Sequence, residues 1–203
     1  MRLIPPVAVV ATLLAATTAA AQDKAQAWAF NASALLYVAA DPSFLLPIVA
    51  ADHGALHLEA RWNYEDLETF SGWVGWTVET GDSLHLAVTP MLGGVVGRSD
   101  GIAPGVELTL GWRAFELYTE SELVIPLDDQ DGYLYTWTQL TWSPTERVGV
   151  GLSGQRLRSA GSERTIDFGP MATFQAGPIG LEAYVYNPFS SDAFSVIGAS
   201  VAF

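Results

Sequence analysis

The chain has 203 residues, half of them hydrophobic, and a formal net charge of -13. Nine Lys and Arg against 22 Asp and Glu leave nothing to neutralise a phosphate backbone, which excludes nucleic acid as a partner. An aromatic content of 11% excludes a disordered chain, and the absence of cysteine excludes disulfides, thiolate metal sites and a Cys nucleophile.

Residues 1–21 place Arg2 before an apolar run from Leu3 to Ala16 and end in Ala19-Ala20-Ala21, ahead of Gln22-Asp23-Lys24. This layout predicts a secretory signal peptide with an A-x-A cleavage site. Pro5, Pro6 and the small-residue exit argue against a membrane anchor. The expected mature chain, 22–203, keeps 8 basic and 22 acidic residues.

Beyond residue 22 no apolar stretch is long enough for a spanning helix, and the dominant period is two. From Leu56 to Glu65 one face takes Leu56, Leu58, Ala60, Trp62 and Tyr64. The other takes His57, Glu59, Arg61, Asn63 and Glu65. Successive side chains of a strand point to opposite faces, so this is a strand with one apolar and one polar side. Similar segments predict strands at 28–38, 43–51, 55–65, 72–80, 84–95, 104–112, 115–124, 133–142, 147–157, 165–175, 180–187 and 194–203.

The connections alternate. Short ones hold His53-Gly54, Gly81-Asp82-Ser83, Arg113-Ala114, Ser143 to Glu146 and Ala176 to Pro178; longer ones run over 66–71, 96–103, 125–132, 158–164 and 188–193. Only 39–42 breaks the alternation, as a short link on the long-loop side. The pattern predicts an all-β fold: an antiparallel transmembrane β-barrel of about 12 strands, with short turns and termini on the periplasmic side. The fallback is about 10 strands with an N-terminal extension. A soluble β-sandwich would share the alternation, with its apolar faces packed together. Against it stand polar faces poor in Lys and aromatic rings near strand ends. Trp62 and Tyr64 lie toward the long loops, and Trp112, Phe115, Trp142 and Phe174 toward the short turns, where membrane interfaces collect aromatics.

The chain ends S-V-I-G-A-S-V-A-F, with Ile197, Ala199, Val201 and Phe203 on one face. This ending resembles the C-terminal strand of Gram-negative outer-membrane β-barrels. The resemblance implies an outer-membrane location, reading of these residues by the barrel-assembly machinery, and contact with outer-membrane lipids and lipopolysaccharide.

With apolar faces toward lipid, the polar faces define a lumen. Its expected carboxylates are Glu59, Glu65, Glu79, Glu107, Glu116, Glu120, Glu122, Asp167 and Glu182. They share the interior with Arg61, His57 and His85, and with Tyr118, Tyr135, Trp137, Tyr184 and Tyr186. A two-residue turn at Arg113-Ala114 sets Gly111 opposite Glu116, Thr109 opposite Tyr118, and Glu107 opposite Glu120. Opposed like charges are destabilising, so this pair must share a proton, meet a cation, or sit in water with Arg61 in reach. A turn at Gly81-Asp82-Ser83 sets Glu79 opposite His85. The plain reading is a solvated lumen with a few ion pairs; the sharper one is a cation-attracting constriction at Glu107, Glu116, Glu120 and Glu122. The inward rings either narrow the lumen or offer a stacking surface.

Other motifs do not hold. Gly97 to Gly101 matches G-x-S-x-G without the strand-to-helix turn that elbow needs, and Gly149, Gly151 and Gly154 match G-x-G-x-x-G without a following helix. Asp128, Asp129 and Asp131 before Gly132 fail the calcium-loop pattern, and His53, His57 and His85 share no ligand spacing. No cofactor or metal is expected. The expected function is a passive, cation-favouring channel for small solutes, ahead of a structural or adhesive barrel with a plugged lumen. A membrane-embedded hydrolase comes third, because His57 and His85 sit at the periplasmic end, away from surface substrates.

Overall fold

The computed structural model describes residues 27–38, 42–128, 131–159 and 164–203. The predicted signal peptide and Asp129 lie outside the described residues. Among the described residues thirteen strands follow in chain order. They are β1 (Ala29–Val38), β2 (Phe44–His53), β3 (Leu56–Trp62), β4 (Thr69–Trp76), β5 (Val78–Thr80), β6 (Leu84–Gly97) and β7 (Gly101–Trp112). The remainder are β8 (Phe115–Pro126), β9 (Tyr133–Trp142), β10 (Val148–Ser159), β11 (Thr165–Ala176), β12 (Ile179–Tyr186) and β13 (Phe194–Ala202).

Each strand pairs antiparallel with its neighbours, and β1 pairs with β13 to close the sheet. β4 and β5 both pair with β6 in one continuous register, on either side of Thr77. The Thr77 hydroxyl shares a 2.9 Å hydrogen bond with that of Thr89 across this break. The two pieces therefore act as one strand, and the fold is a closed antiparallel 12-strand barrel. At the seam, Phe30 and Phe203 exchange backbone hydrogen bonds of 2.9 and 3.0 Å and stack their rings at 5.7 Å.

The polarity is inside out. Leu152 and Ile197 on the outer wall are 58% and 57% exposed, whereas the inward Arg61 and Glu122 are each 1% exposed. A β-sandwich would bury the apolar face; here that face forms a band that only a lipid phase satisfies. Trp62 and Phe70 stand on it at the long-loop end, and Trp112, Phe115, Trp142 and Phe174 at the short-turn end. Ile197, Val201 and Phe203 share the same outer surface.

Two local expectations are corrected. First, β3 ends at Trp62 rather than continuing to Glu65, because Asn63 adopts a left-handed φ of 59°. The Asn63 side chain accepts a 2.8 Å hydrogen bond from the Glu68 amide and donates a 2.9 Å bond to the Leu45 carbonyl, which fixes a turn there. Alternation is lost beyond that point, so Tyr64 enters the barrel instead of joining the outer aromatics. Second, Glu79 lies opposite Ala87, and His85 opposite Gly111 on β7. The register is set farther along, where Trp73 lies opposite Gly93. A Cβ on Gly93 would stand 2.6 Å from the Trp73 ring. The register implied by a three-residue turn would instead place Trp73 against Met91, two bulky inward side chains.

Candidate functional site in the barrel lumen

The lumen divides at the level of Arg61. Toward the long loops it is filled by two apolar clusters. One gathers Leu35, Tyr37, Leu46, Trp137, Met171, Tyr184, Tyr186 and Val196; the other Trp73, Met91, Val95, Ala103 and Val124. The phenols and the indole are satisfied without water. Gln155 donates to the Tyr37 hydroxyl at 3.0 Å, Gln139 to that of Tyr184 at 2.9 Å, and Trp137 to Ser153 Oγ at 2.8 Å. Ser153 also shares a 2.7 Å hydrogen bond with the Tyr186 hydroxyl. A buried polar group without a partner is costly, so these bonds are what allow tyrosines to serve as filler.

The 63–68 segment adds to this plug from the side. Tyr64 meets the Tyr135 ring edge-on at 5.8 Å and donates to Glu120 at 2.8 Å. Glu65 accepts hydrogen bonds from Ser71 and from the Trp73 indole at 2.5 and 3.2 Å, while its carbonyl accepts one from the Tyr133 hydroxyl.

Arg61 sits at the boundary. Its guanidinium lies between the rings of Tyr64 and Trp73, 4.3 and 4.7 Å from their centroids. It pairs with Glu59 at 2.5 Å, Glu120 at 2.6 Å and Glu122 at 3.1 Å. Stacking satisfies the faces of the guanidinium and carboxylates its edge, the arrangement for which Arg is better suited than Lys.

Toward the short turns the lumen holds a cavity of about 120 Å³, with room for roughly four water molecules. Asp52, His57, Glu59, Glu107, Glu120 and Glu182 supply its ionisable lining, and Asn31, Ser33, Thr77, Thr89, Thr109, Tyr118 and Gln139 its neutral polar lining. Glu107 and Glu120 are directly opposed on β7 and β8, as the Arg113-Ala114 turn dictates. The Tyr118 hydroxyl lies 3.0 Å from Glu107 and 3.3 Å from Glu120. With Arg61 on the far side of Glu120, this answers how opposed carboxylates coexist. Glu182 receives a hydrogen bond from Tyr184 and occupies the space left by Gly198, whose Cβ would stand 2.4 Å from it.

The inward residues named from sequence thus separate into groups. Glu59, Glu107, Glu120 and Glu122 gather around Arg61 and Tyr118, whereas Glu116 lies opposite Gly111 and Thr141, outside the cavity lining. Glu79 stands exposed at the short-turn rim, and Asp167 lies toward the long loops, accepting a 2.6 Å hydrogen bond from Asn187. Sequence reasoning missed Asp52, Tyr64, Trp73 and Ser71. For Trp73 the signal was available, since it shares the inward parity of Thr77 and Glu79 on its strand. Gly97 to Gly101 joins β6 to β7, and Gly149 to Gly154 lie within β10, so neither glycine motif opens a helix.

In comparisons with known proteins, no family model matches the chain. No curated protein matches it in sequence. Solved structures do match. A KdgM porin in complex with disordered oligogalacturonate superposes with a TM-score of 0.59 at 9% identity, covering 86% of this chain and 99% of that one. A second KdgM porin structure gives 0.56 at 11% identity, with the same coverage. At such identities the likeness shows the fold: this chain has the closed barrel architecture of outer-membrane porins.

Proposed function

We propose that the protein is an outer-membrane channel for small hydrophilic solutes whose lumen favours cations. The observation that carries this reading is the polar cavity inside a lipid-facing barrel, lined by five carboxylates. The nearby Arg61 is already occupied by Glu59, Glu120 and Glu122. A ring of carboxylates raises the local concentration of cations and repels anions. The oligogalacturonate in the KdgM complex is a polyanion, and this lining is mismatched to it in charge, so the likeness in fold is not extended to that solute. In this reading the short turns face the periplasm and the plugged end faces outward.

The test is conductance of the refolded protein in planar bilayers under a salt gradient. A cation-selective reversal potential is expected, moving toward zero in Glu107→Gln with Glu120→Gln. Anion selectivity, or no shift in that double variant, overturns the reading. Absence of conductance favours the second reading, a structural barrel with a plugged lumen, which the packed clusters around Tyr184 and Trp73 support. For partners, we infer lipopolysaccharide at the outer rim. Arg156 and Arg158 support this, lying on the lipid-facing parity of β10 at its long-loop end, where a charge needs an anionic headgroup. The outward face of Ile197, Ala199, Val201 and Phe203 suits reading by the assembly machinery.

A further inference from the structure

We propose that His57, Glu59 and Glu107 form a binding site for one divalent transition-metal ion in the short-turn half of the lumen. One ring nitrogen of His57 and one carboxylate oxygen from each of Glu59 and Glu107 lie within 4.8 Å of one another. The three come from β3 and β7, which are separated by β4, β5 and β6, so no ligand spacing in the sequence announces them.

Acidic residues facing a lumen are not in themselves a site. What distinguishes this group is the imidazole. His57 is 7% exposed, its Nδ1 lies 2.7 Å from Asp52 Oδ1, and its buried Nε2 has no hydrogen-bond partner among the described residues. A proton on Nδ1, held by Asp52, leaves the lone pair on Nε2. A carboxylate that orients a histidine through its second nitrogen is the usual outer-shell support of a metal ligand.

The two glutamates are held in a corresponding way. Arg61 takes Glu59 Oε2, and Tyr118 donates to Glu107 Oε1, so each carboxylate keeps its second oxygen for the cavity. An unpartnered imidazole nitrogen and two carboxylates thus converge, an arrangement that a bound cation stabilises. Two bonds of about 2.0–2.2 Å to a shared ion hold their donors roughly 3.3–3.6 Å apart at a tetrahedral angle, so side-chain rotations that draw the donors in by about 1 Å close the set around an ion. Mixed imidazole and carboxylate donors suit Zn²⁺ and its neighbours, whereas Mg²⁺ and Ca²⁺ prefer oxygen alone. All three residues line the cavity, which supplies space for completing water ligands.

Binding of this kind stands whether or not the barrel conducts, so its failure is distinct from failure of the channel reading. The experiment is calorimetric titration of the full chain, folded in detergent, with ZnCl2 and separately with MgCl2. Saturable uptake of about one Zn²⁺ per barrel is expected, without matching uptake of Mg²⁺. Affinity should fall at least tenfold in His57→Gln and in Glu107→Gln, and by about 10–100-fold in Asp52→Asn, which keeps all three donors. His53→Gln, whose ring packs on Trp28 at 4.9 Å outside the cavity, should bind as the parent does. If His57→Gln does not fold, Asp52→Asn decides. No saturable Zn²⁺ binding, equal uptake of Mg²⁺, or unchanged affinity in Asp52→Asn overturns the proposal.

Discussion

The two halves of the lumen are built from strands of the same parity and yet hold opposite chemistries. The long-loop half is packed like a soluble core, with Tyr184, Tyr186, Val95 and Val124 almost wholly buried. The short-turn half is a carboxylate-lined cavity. A twelve-strand barrel is wider than side chains alone readily fill, so it must either carry extra filler or remain wet. This chain does both at different heights, and the 63–68 segment is the additional filler. Arg61 stands where they meet, with aromatic rings on its faces and carboxylates at its edge.

The comparison breaks most severely at that boundary. Arg61→Met keeps the volume but leaves Glu59, Glu120 and Glu122 without their common cation. Removing one partner of a buried ion cluster costs about 3–5 kcal/mol. Urea unfolding in detergent should register a loss of that size, partly recovered when Glu120→Gln and Glu122→Gln are added. A loss below about 1 kcal/mol, the range of exposed pairs, would mean that these carboxylates do not depend on Arg61.

The plug responds next. Trp137→Ala removes a ring packed edge-on against Tyr184 at 5.7 Å and a hydrogen bond to Ser153. Large aromatic truncations in cores cost about 3–5 kcal/mol, and the lower end is expected because Trp137 also borders the cavity, which can hydrate the gap. Joining the vacated space to the cavity should raise single-channel conductance while leaving the sign of selectivity unchanged. Conductance equal to that of the parent would place the narrowest point elsewhere.

Adjacent glycines sharpen the contrast between inside and outside. Gly93→Val drives a side chain into the Trp73 ring and should cost about 1–3 kcal/mol, as overpacking does. Gly94 faces outward with nothing within 4 Å of its Cβ position, so Gly94→Val should be neutral or slightly stabilising. Thermal denaturation in one detergent checks both; equal shifts would contradict the assigned faces.

How far the sequence could carry this picture follows from what parity encodes. Alternation states which side a residue faces, and on that basis the barrel, its closing strand and the inward position of Arg61 were legible. Turn length sets register nearby, and so the opposition of Glu107 and Glu120 was legible too. Parity is silent on height along the axis and on which strands meet across the lumen, since these depend on tilt and shear. Glu116 and Glu107 therefore look equivalent in sequence although only Glu107 lines the cavity. The meeting of His57 with Glu107 was invisible for the same reason. Tyr64 was lost differently: one left-handed residue, Asn63, ended the alternation that assigned it.

The smallest effect is expected at the outer edge of the same inserted segment. Asp66, next to the buried Glu65, lies 3.8 Å from Arg98 in an exposed pair, with side-chain exposures of 38% and 60%. Solvent-exposed pairs contribute about 0–1 kcal/mol, because water screens the attraction and two long side chains lose freedom. The segment is already held from inside by hydrogen bonds from Ser71, Trp73 and Tyr133 to Glu65, and by Tyr64 on Glu120. Arg98→Ala should therefore shift the urea midpoint by less than about a third of the Arg61→Met change and leave conductance unaltered. A larger destabilisation accompanied by higher conductance would mean that the rim, rather than the aromatic and carboxylate contacts beneath it, keeps the segment in the lumen. The same kind of side chain would then matter for its position on the loop, and burial would no longer explain the difference between Arg61 and Arg98.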